Sequence, residues 1–195
     1  MTRHSNYLSI RHRGKAIPYG GDGVLREDGD ANHGFKYVKG DDTALRSIPE
    51  LTNDPDLLEL ALAINAPQTG LFSIGCVSGQ EKDDRGYRNH GYMEFAINSR
   101  SAIADAKSYF PIFFRFDRFL NDAKFSAPTA FNWDLEGATF IECDDSAGFT
   151  CSIFINTDYS PSRESATNIW SESLGALGYF LQSVPPDRRD YLYRQ

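Results

Sequence analysis

The stretch REDGDANHG, residues 26–34, is the part of this 195-residue chain that comes nearest to a ligand-binding pattern. A helix–loop–helix calcium site takes oxygen ligands at loop positions 1, 3 and 5, glycine at 6 and glutamate at 12. Counted from Asp28, the three oxygen positions are filled, but position 6 is His33 and position 12 is Lys39. A lysine repels the cation that the bidentate glutamate would hold, so we predict a polar loop of turn-forming residues without a metal.

Nucleophile-and-base chemistry requires spacings that the histidines and serines of this chain lack. No two of the four histidines stand at the helical spacing of a metal site, and no glycine-rich phosphate loop follows a predicted strand. GCVSG, residues 75–79, places its serine fourth rather than third, and a polar hairpin follows where a nucleophile elbow needs a helix. The motifs therefore predict neither a catalytic set nor a cofactor.

Two of the three cysteines stand eight residues apart across a predicted hairpin. With Ser146–Gly148 as a three-residue loop, Cys143 faces Cys151 and Ile141 faces Ile153. A slip by one residue would send these apolar side chains to the opposite face of the sheet. We predict two adjacent buried thiols in a reducing compartment, with a cross-strand disulfide as the alternative under oxidation.

Aspartate pairs recur in the segments that connect predicted elements, at residues 41–42, 83–84 and 144–145. The last two pairs lie in hairpin connections, and hairpins that run in the same sense would bring their tips together at one end of the sheet. Such an acidic edge attracts a basic partner, although aspartate is also a common turn residue. Exposed tyrosine beside charge is typical of protein-binding surfaces. The predicted partner-binding residues are Glu81, Asp83, Asp84, Tyr87, Asp144 and Asp145.

Hydrophobic periodicity predicts the elements that must position these side chains. Alternating residues predict strands, and stripes at a spacing of three to four residues predict helices. Asp54–Pro55 is typical of a helix start, and Pro185–Pro186 of a helix end. The stretch FFRFDRF, residues 113–119, fits a helical stripe, with a strand as the competing interpretation. The predicted strands cover residues 7–11, 34–40, 71–78, 91–98, 131–135, 138–144 and 149–157, and the predicted helices cover 55–66, 101–120 and 160–184.

The order of these elements, loosely ββα-ββα-ββα, predicts a two-layer α+β fold. Short connections favour antiparallel pairing, so we expect a mainly antiparallel sheet with helices packed on one face and water on the other. The length and the composition, 41% apolar and 24% charged, suit a single domain spanning residues 1–195.

The formal net charge of −7 argues against a general nucleic-acid binder, which needs a basic face to displace counterions from phosphates. No apolar run approaches the length of a membrane span, and the N-terminus lacks the apolar core of a secretion signal, so we predict a cytoplasmic protein. Small size, acidic charge and acidic loops favour a non-enzymatic protein-binding protein. The form we expect is an immunity or inhibitor protein that neutralises a basic bacterial toxin or effector.

Two other functions are compatible with the sequence. A hydrolase or transferase would assemble its site near the glycine-rich loop, residues 14–34, from Arg11, His12 or His90 and Glu94. A pocket that holds two of these groups within hydrogen-bond reach would favour the enzyme. An oligomer would bury the nearly all-apolar helix at residues 57–64 against a partner chain.

Overall fold

The structure, a computed structural model, describes residues 4–19, 34–187 and 189–193, with the side chain of His12 outside the description. Within these residues, no helix is both long and apolar enough to cross a membrane. The strands are β1 (Ser5–Ile17), β2 (Leu71–Asp83), β3 (Gly86–Ile97), β4 (Thr129–Phe140) and β5 (Ser146–Thr157). The helices are α1 (Asp42–Arg46), α2 (Pro49–Thr52), α3 (Pro55–Asn65), α4 (Arg100–Ile103), α5 (Phe110–Asp122) and α6 (Arg163–Leu181), with short 3₁₀ turns at Ala106–Tyr109 and Ile141–Cys143.

The strands form one five-stranded sheet in the order β1-β4-β5-β3-β2. β1 runs parallel to β4, and the other three neighbouring pairs are antiparallel. The predicted α+β fold, a mainly antiparallel sheet with helices packed on it, is therefore confirmed. The predicted order of elements is loose, because the first unit has one strand and three helices where the pattern predicts two strands and one helix.

The main hydrophobic core lies between one face of the sheet and helices α3, α5 and α6. Alternate residues of the central strands point into it, including the buried Trp133 of β4. α5 places Phe116 against Trp133 with ring centroids 5.5 Å apart, while Arg115 and Arg118 on its other side are exposed. Buried residues recur every three or four positions along α5, which confirms the helix and excludes a strand at residues 113–119.

Helix α3 is buried within its own chain. Asp54 accepts hydrogen bonds from the first free backbone N–H groups of the helix, as its place before Pro55 predicts. Its second oxygen accepts the indole N–H of Trp170 at 2.9 Å. Further along, α6 packs on α3 at Gly178, where an added Cβ would lie 3.5 Å from Leu60, an ordinary van der Waals distance. The apolar face considered for an oligomer is thus filled by residues of the same chain.

A second hydrophobic cluster covers part of the opposite sheet face, which the sequence pattern predicts to be wet. It joins Ile17 at the end of β1 to Ile74 of β2, although these strands are the two edges of the sheet. Tyr19, just beyond β1, donates a hydrogen bond to the Ile74 carbonyl at 3.2 Å. The edges of a flat five-stranded sheet would lie about 19 Å apart, so the sheet curls toward this face.

The C-terminal segment completes the second cluster. Tyr193 stacks on Tyr37 with ring centroids 4.4 Å apart, and Leu192 is buried. Asn98, just after β3, holds the segment through hydrogen bonds with the backbone carbonyl and N–H of Tyr193. Aromatic residues from a stretch that looks like a charged tail in the sequence are therefore part of the packed structure.

Protonation of Asp190 is expected to loosen this C-terminal segment. Its carboxylate accepts hydrogen bonds from Ser101 and Ser99, and these bonds, those from Ser101 first, hold its pKa below the ordinary value. They stabilise the folded chain above about pH 4 and are lost as the pH falls through the lower folded pKa. The backbone N–H of Arg100 donates a hydrogen bond to the Asp190 carbonyl. In the wild type this N–H should lose hydrogen-exchange protection as the pH falls below the folded pKa of Asp190. In Asp190→Asn it should be less protected at every pH. Equal protection in the two proteins at pH 7 would contradict the assignment.

Residues 34–40 are not a strand, contrary to the alternation of their side chains. The ammonium group of Lys39 is buried and donates hydrogen bonds to the carbonyls of Ala66 and Leu71 and to the hydroxyl of Thr69. It therefore caps the C-terminal end of α3, where cations are favoured. Burial lowers the pKa of Lys39 to about 8. The segment is held by this cap and not by pairing with a neighbouring strand.

The predicted register of the β4–β5 hairpin is wrong. β4 continues without interruption to Phe140, and the turn closes through residues 141–145. Asp144 and Asp145 adopt positive φ angles of 59° and 52°, a left-handed conformation that aspartate tolerates better than most residues. The turn therefore precedes the predicted loop, and Gly148 lies within β5.

This register separates the cysteines. Leu135 faces Cys151, while Cys143 lies in the turn, and all three cysteines are free. The predicted contact between Cys143 and Cys151 is wrong, but their predicted burial is confirmed. Ile141 is 51% exposed in the turn, whereas Ile153 is in the core.

Candidate binding surface

Four of the predicted partner-binding residues gather at the end of the β2–β3 hairpin. Strand pairing continues as far as Asp83 opposite Gly86, so the turn has only two residues. Most of the stretch that looks like a polar connection in the sequence is therefore paired strand. Charged side chains opposite each other on β2 and β3 stabilise this extension of the strand pairing. We call residues 81–88 together with Tyr159 the hairpin tip.

Tyr159 is the centre of the hairpin tip, although it comes from the segment that follows β5. The guanidinium carbons of Arg85 and Arg88 lie 3.8 Å and 4.9 Å from the centroid of its ring. Both distances are within the range of a cation–π interaction. The Tyr159 hydroxyl donates a hydrogen bond to Glu81 at 3.0 Å. The ring is thus held at its face by two cations and at its edge by a carboxylate.

The hairpin tip is rich in charge but neutral overall, which differs from the predicted acidic edge. Residues 81–88 contain three carboxylates and three basic side chains. Arg88 pairs with Glu81 at 2.7 Å, and Arg85 pairs with Asp83 at 2.6 Å. The hydrogen bonds from Arg85 lower the pKa of Asp83 to about 2, and those from Arg88 lower the pKa of Glu81. Both carboxylates are therefore ionised and paired at neutral pH.

A backbone latch fixes the hairpin tip to the rest of the fold. Tyr87 and Ser160 exchange two backbone hydrogen bonds, of 2.8 Å and 2.7 Å. Gly86, with a φ of 119°, permits this approach, because a Cβ there would lie 2.2 Å from the Ser160 carbonyl oxygen. The hairpin tip is therefore fixed to the rest of the fold by backbone hydrogen bonds as well as by its own strand pairing.

Asp144 and Asp145 lie at the other end of the sheet, so the prediction of one shared acidic edge is wrong. β3 and β5 are antiparallel neighbours, and each begins at the tip of its own hairpin, so the two tips point in opposite directions. The twelve residues of β3 separate them by roughly 35 Å. Asp144 pairs with Arg100 at 3.1 Å, and its side chain is 88% exposed.

The acidic charge of the chain is concentrated around helices α1 to α3. Residues 41–59 contain six carboxylates and one arginine, a net charge of −5 out of the −7 of the whole chain. Two of the six are structural, since Asp54 accepts a hydrogen bond from Trp170 and Asp56 accepts one from Ser171. The exposed carboxylates of this segment belong to Asp41, Asp42 and Glu59.

Residues considered for an enzyme lie on the sheet face opposite α3, α5 and α6. Glu94 of β3 pairs with Lys15 of β1, and Arg11 pairs with Asp134 of β4. His90 precedes Glu94 by four residues on β3, about 13 Å along the strand. The structure therefore brings Arg11 and Glu94 to one face, each beside an ion partner, and places His90 about 13 Å from Glu94 along β3.

A pocket of about 80 Å³ lies at the irregular pairing in β2. Tyr19 and Gly34, the described residues that flank residues 20–33, line it together with Glu50 and Cys76. Burial, with the charge of Glu50 as a smaller cause, raises the pKa of Cys76 to about 12. This thiol is therefore protonated at neutral pH and is a poor nucleophile.

The structural description leaves two of the sequence predictions untested. Residues 26–33 of the calcium-like stretch lie outside the described residues, and the side chain of His12 is also outside the description. Among the residues that are described, no three histidine, cysteine, aspartate or glutamate side chains come together to hold a metal ion.

Sequence analysis missed the three residues that organise the hairpin tip. Arg85 and Arg88 stand in the supposed polar connection, and Arg88 opposite Glu81 around a short turn is a signal for a cross-strand pair. Tyr159 enters the cluster from a segment 71 positions after Arg88. No local pattern connects these segments, so only the fold could identify the tyrosine.

In comparisons with known proteins, no family model, curated protein or solved structure matches the chain. The fold and the hairpin tip together define an α+β chain that presents arginine, tyrosine and carboxylate groups on a latched hairpin.

Proposed function

We propose that this chain is a non-enzymatic protein-binding protein whose hairpin tip contacts the partner. The observation that carries the proposal is the Tyr159 ring held by Arg85 and Arg88 at the end of a latched hairpin. Tyrosine and arginine are enriched among the residues that dominate binding energy in protein interfaces. Fixing them in advance reduces the entropy lost on association.

The pairing within the tip determines what kind of partner it recognises. Because Glu81 and Asp83 are each bound to an arginine, a partner meets alternating charges and not an acidic patch. Such a pattern selects one orientation and penalises partners that place like charges together. The charge of −5 on residues 41–59 lies outside the tip, where it attracts a basic partner during approach.

An immunity or inhibitor protein that neutralises a bacterial toxin or effector in the cytoplasm is the form of this function that we propose. Such a protein needs a rigid surface, a charge opposite to that of its target and stability in a reducing compartment. The latched hairpin, the net charge of −7 and the three free cysteines are consistent with these needs.

Photo-crosslinking in the producing cells tests the proposal. The photoreactive residue p-benzoylphenylalanine at position 87 should capture one discrete protein, whereas the same residue at position 141, in the opposite turn, should not. With the captured protein purified, Tyr159→Ala should weaken binding by about 30-fold or more, the size expected for removal of a central interface residue. Isothermal titration calorimetry measures the affinity.

A charge-changing variant at the opposite end of the sheet is the control. Asp144→Asn together with Asp145→Asn removes two exposed charges roughly 35 Å from the tip and should leave the affinity within about twofold of the wild type. Equal capture at positions 87 and 141, no capture at position 87, or an unchanged affinity for Tyr159→Ala would overturn the proposal.

A further inference from the structure

We infer that the chain carries a second docking surface, a groove between α5 and α6 that accepts an acidic peptide segment containing an aromatic residue. The groove lies at the C-terminal end of α6, whereas the hairpin tip lies beside its N-terminal end. The nineteen residues of α6 span roughly 28 Å. The two surfaces are separate, so the groove does not depend on the function proposed for the tip.

The floor of the groove is aromatic. The ring centroid of Phe119 on α5 lies 5.8 Å from that of Phe180 and 6.1 Å from that of Tyr179, both on α6. Tyr179 is 68% exposed, and Phe119 is partly exposed. Exposed aromatic side chains that cluster on two adjacent helices form an apolar patch, and such patches mark interaction sites.

Two arginines of α5 give the groove a positive charge. Arg115 and Arg118 both line it, and Asp122 is the one carboxylate among the described lining residues. Neither arginine forms a salt bridge within the described part of the chain. The Arg115 guanidinium lies 5.9 Å from the Phe180 ring centroid, and a contact with a ring face leaves its N–H groups, like those of Arg118, able to bind carboxylates from another molecule.

The end of α5 does not account for these arginines. Cations are favoured near the last carbonyls of a helix, but the last turn of α5 contains no basic residue. The carbonyl of Phe119 already accepts the backbone N–H of Ala123. Arg115 and Arg118 stand earlier on the helix, and both are exposed. Helix capping therefore does not explain the two arginines, and the contact within the chain that engages Arg115 is with the Phe180 ring, whose centroid lies 5.9 Å from its guanidinium carbon.

Charge complementarity selects an acidic occupant. The chain as a whole carries −7, so this cationic groove is opposite in sign to the rest of the protein. The groove is open to solvent, and its volume of about 570 Å³ leaves room for side chains of a peptide. A peptide with an aromatic residue between carboxylates would place its ring on Phe119 and Tyr179 and its charges on the two arginines.

Parallel selections from a displayed library of random peptides test the inference. One selection uses the wild type, and the other uses Arg115→Ala/Arg118→Ala. The wild type should enrich peptides that combine acidic residues with an aromatic one. The best of these, labelled with fluorescein, should bind the double variant at least about tenfold more weakly and bind the wild type less well as salt rises.

Two further variants separate the groove from general charge effects. Arg46→Ala/Lys107→Ala removes the same number of positive charges from other exposed positions and should bind like the wild type. Tyr179→Ser changes the exposed floor without changing charge and should weaken binding by a similar factor to the arginine variant. Circular dichroism and melting temperature establish that each variant is folded.

Several outcomes would overturn the inference. They are enrichment without acidic bias, equal binding by Arg115→Ala/Arg118→Ala, and selections that yield no binder. Arginine-dependent binding of single-stranded RNA or of phosphatidylserine vesicles, with no peptide binding, would assign the groove to a different ligand class and overturn it too. Failure of the Tyr159→Ala experiment would leave the result at the groove unchanged.

Discussion

Lys15→Met is expected to lower the free energy of unfolding by about 3–5 kcal/mol. Lys15 pairs with Glu94, whose side chain is 5% exposed, and lies 3.4 Å from Glu136. Removing the ammonium group leaves the Glu94 carboxylate buried without its nearest counterion, which costs much more than the loss of a surface pair. Urea unfolding followed by tryptophan fluorescence measures the change, provided that the m-value is constant.

Removing both partners separates the cost of an isolated charge from the loss of the pair. Lys15→Met/Glu94→Leu should recover most of the stability that Lys15→Met loses, because apolar groups then replace the buried ions. Arg100→Met is the exposed control, since the Asp144 side chain beside it is 88% exposed, and should cost about 1 kcal/mol or less. Strict additivity of the Lys15 and Glu94 effects would show that the two charges are not coupled.

Gly86→Ala is expected to disrupt the hairpin tip and to lower the free energy of unfolding by about 2–4 kcal/mol. Alanine is strained at a φ of 119°, and its Cβ would overlap the Ser160 carbonyl oxygen at 2.2 Å. The latch between Tyr87 and Ser160 must open to relieve this overlap, and Tyr159 then loses its fixed place beside the arginines. Thermal unfolding measures the stability, and hydrogen exchange at the Tyr87 amide measures the latch.

Gly175→Ala is the matched control for this substitution. It makes the same chemical change in the exposed part of α6, where an added Cβ meets nothing within 4 Å. It should raise the free energy of unfolding by about 0.5–1 kcal/mol, because alanine is the better helix former. The partner binding that we propose for the hairpin tip should fall in Gly86→Ala and persist in Gly175→Ala. If Gly86→Ala unfolds with the same free energy as the wild type and its Tyr87 amide is equally protected from hydrogen exchange, then the latch is not strained by the substitution and the prediction is wrong.

Much of the secondary structure could be predicted because its causes act within a few residues. Asp54 and Ser162 cap α3 and α6 through hydrogen bonds to N–H groups two or three positions away. Ile153 and its alternate neighbours on β5 face the core because successive strand residues point to opposite sides. These effects depend on local order alone, so periodicity and capping residues identify them.

The errors arose where a distant contact outweighed a local pattern. Residues 34–40 alternate like a strand, but Lys39 caps the end of α3 instead. The apolar repeat between residues 139 and 155 fits more than one hairpin register, since any shift by an even number of residues keeps the same faces buried. The left-handed backbone of Asp144 and Asp145 places the turn at these residues and so fixes one register. The presence of two aspartates in the sequence does not predict that conformation.

The sequence by itself determined the class of elements and the presence of charged, tyrosine-bearing hairpin residues, because burial periodicity and turn chemistry are local properties. Only the tertiary structure decided that Asp83 and Asp144 lie at opposite ends of the sheet, and that arginines neutralise the acids around Tyr159. Strand order and side-chain pairing depend on contacts between segments that are far apart in the chain. Those contacts form only when the whole sheet has assembled.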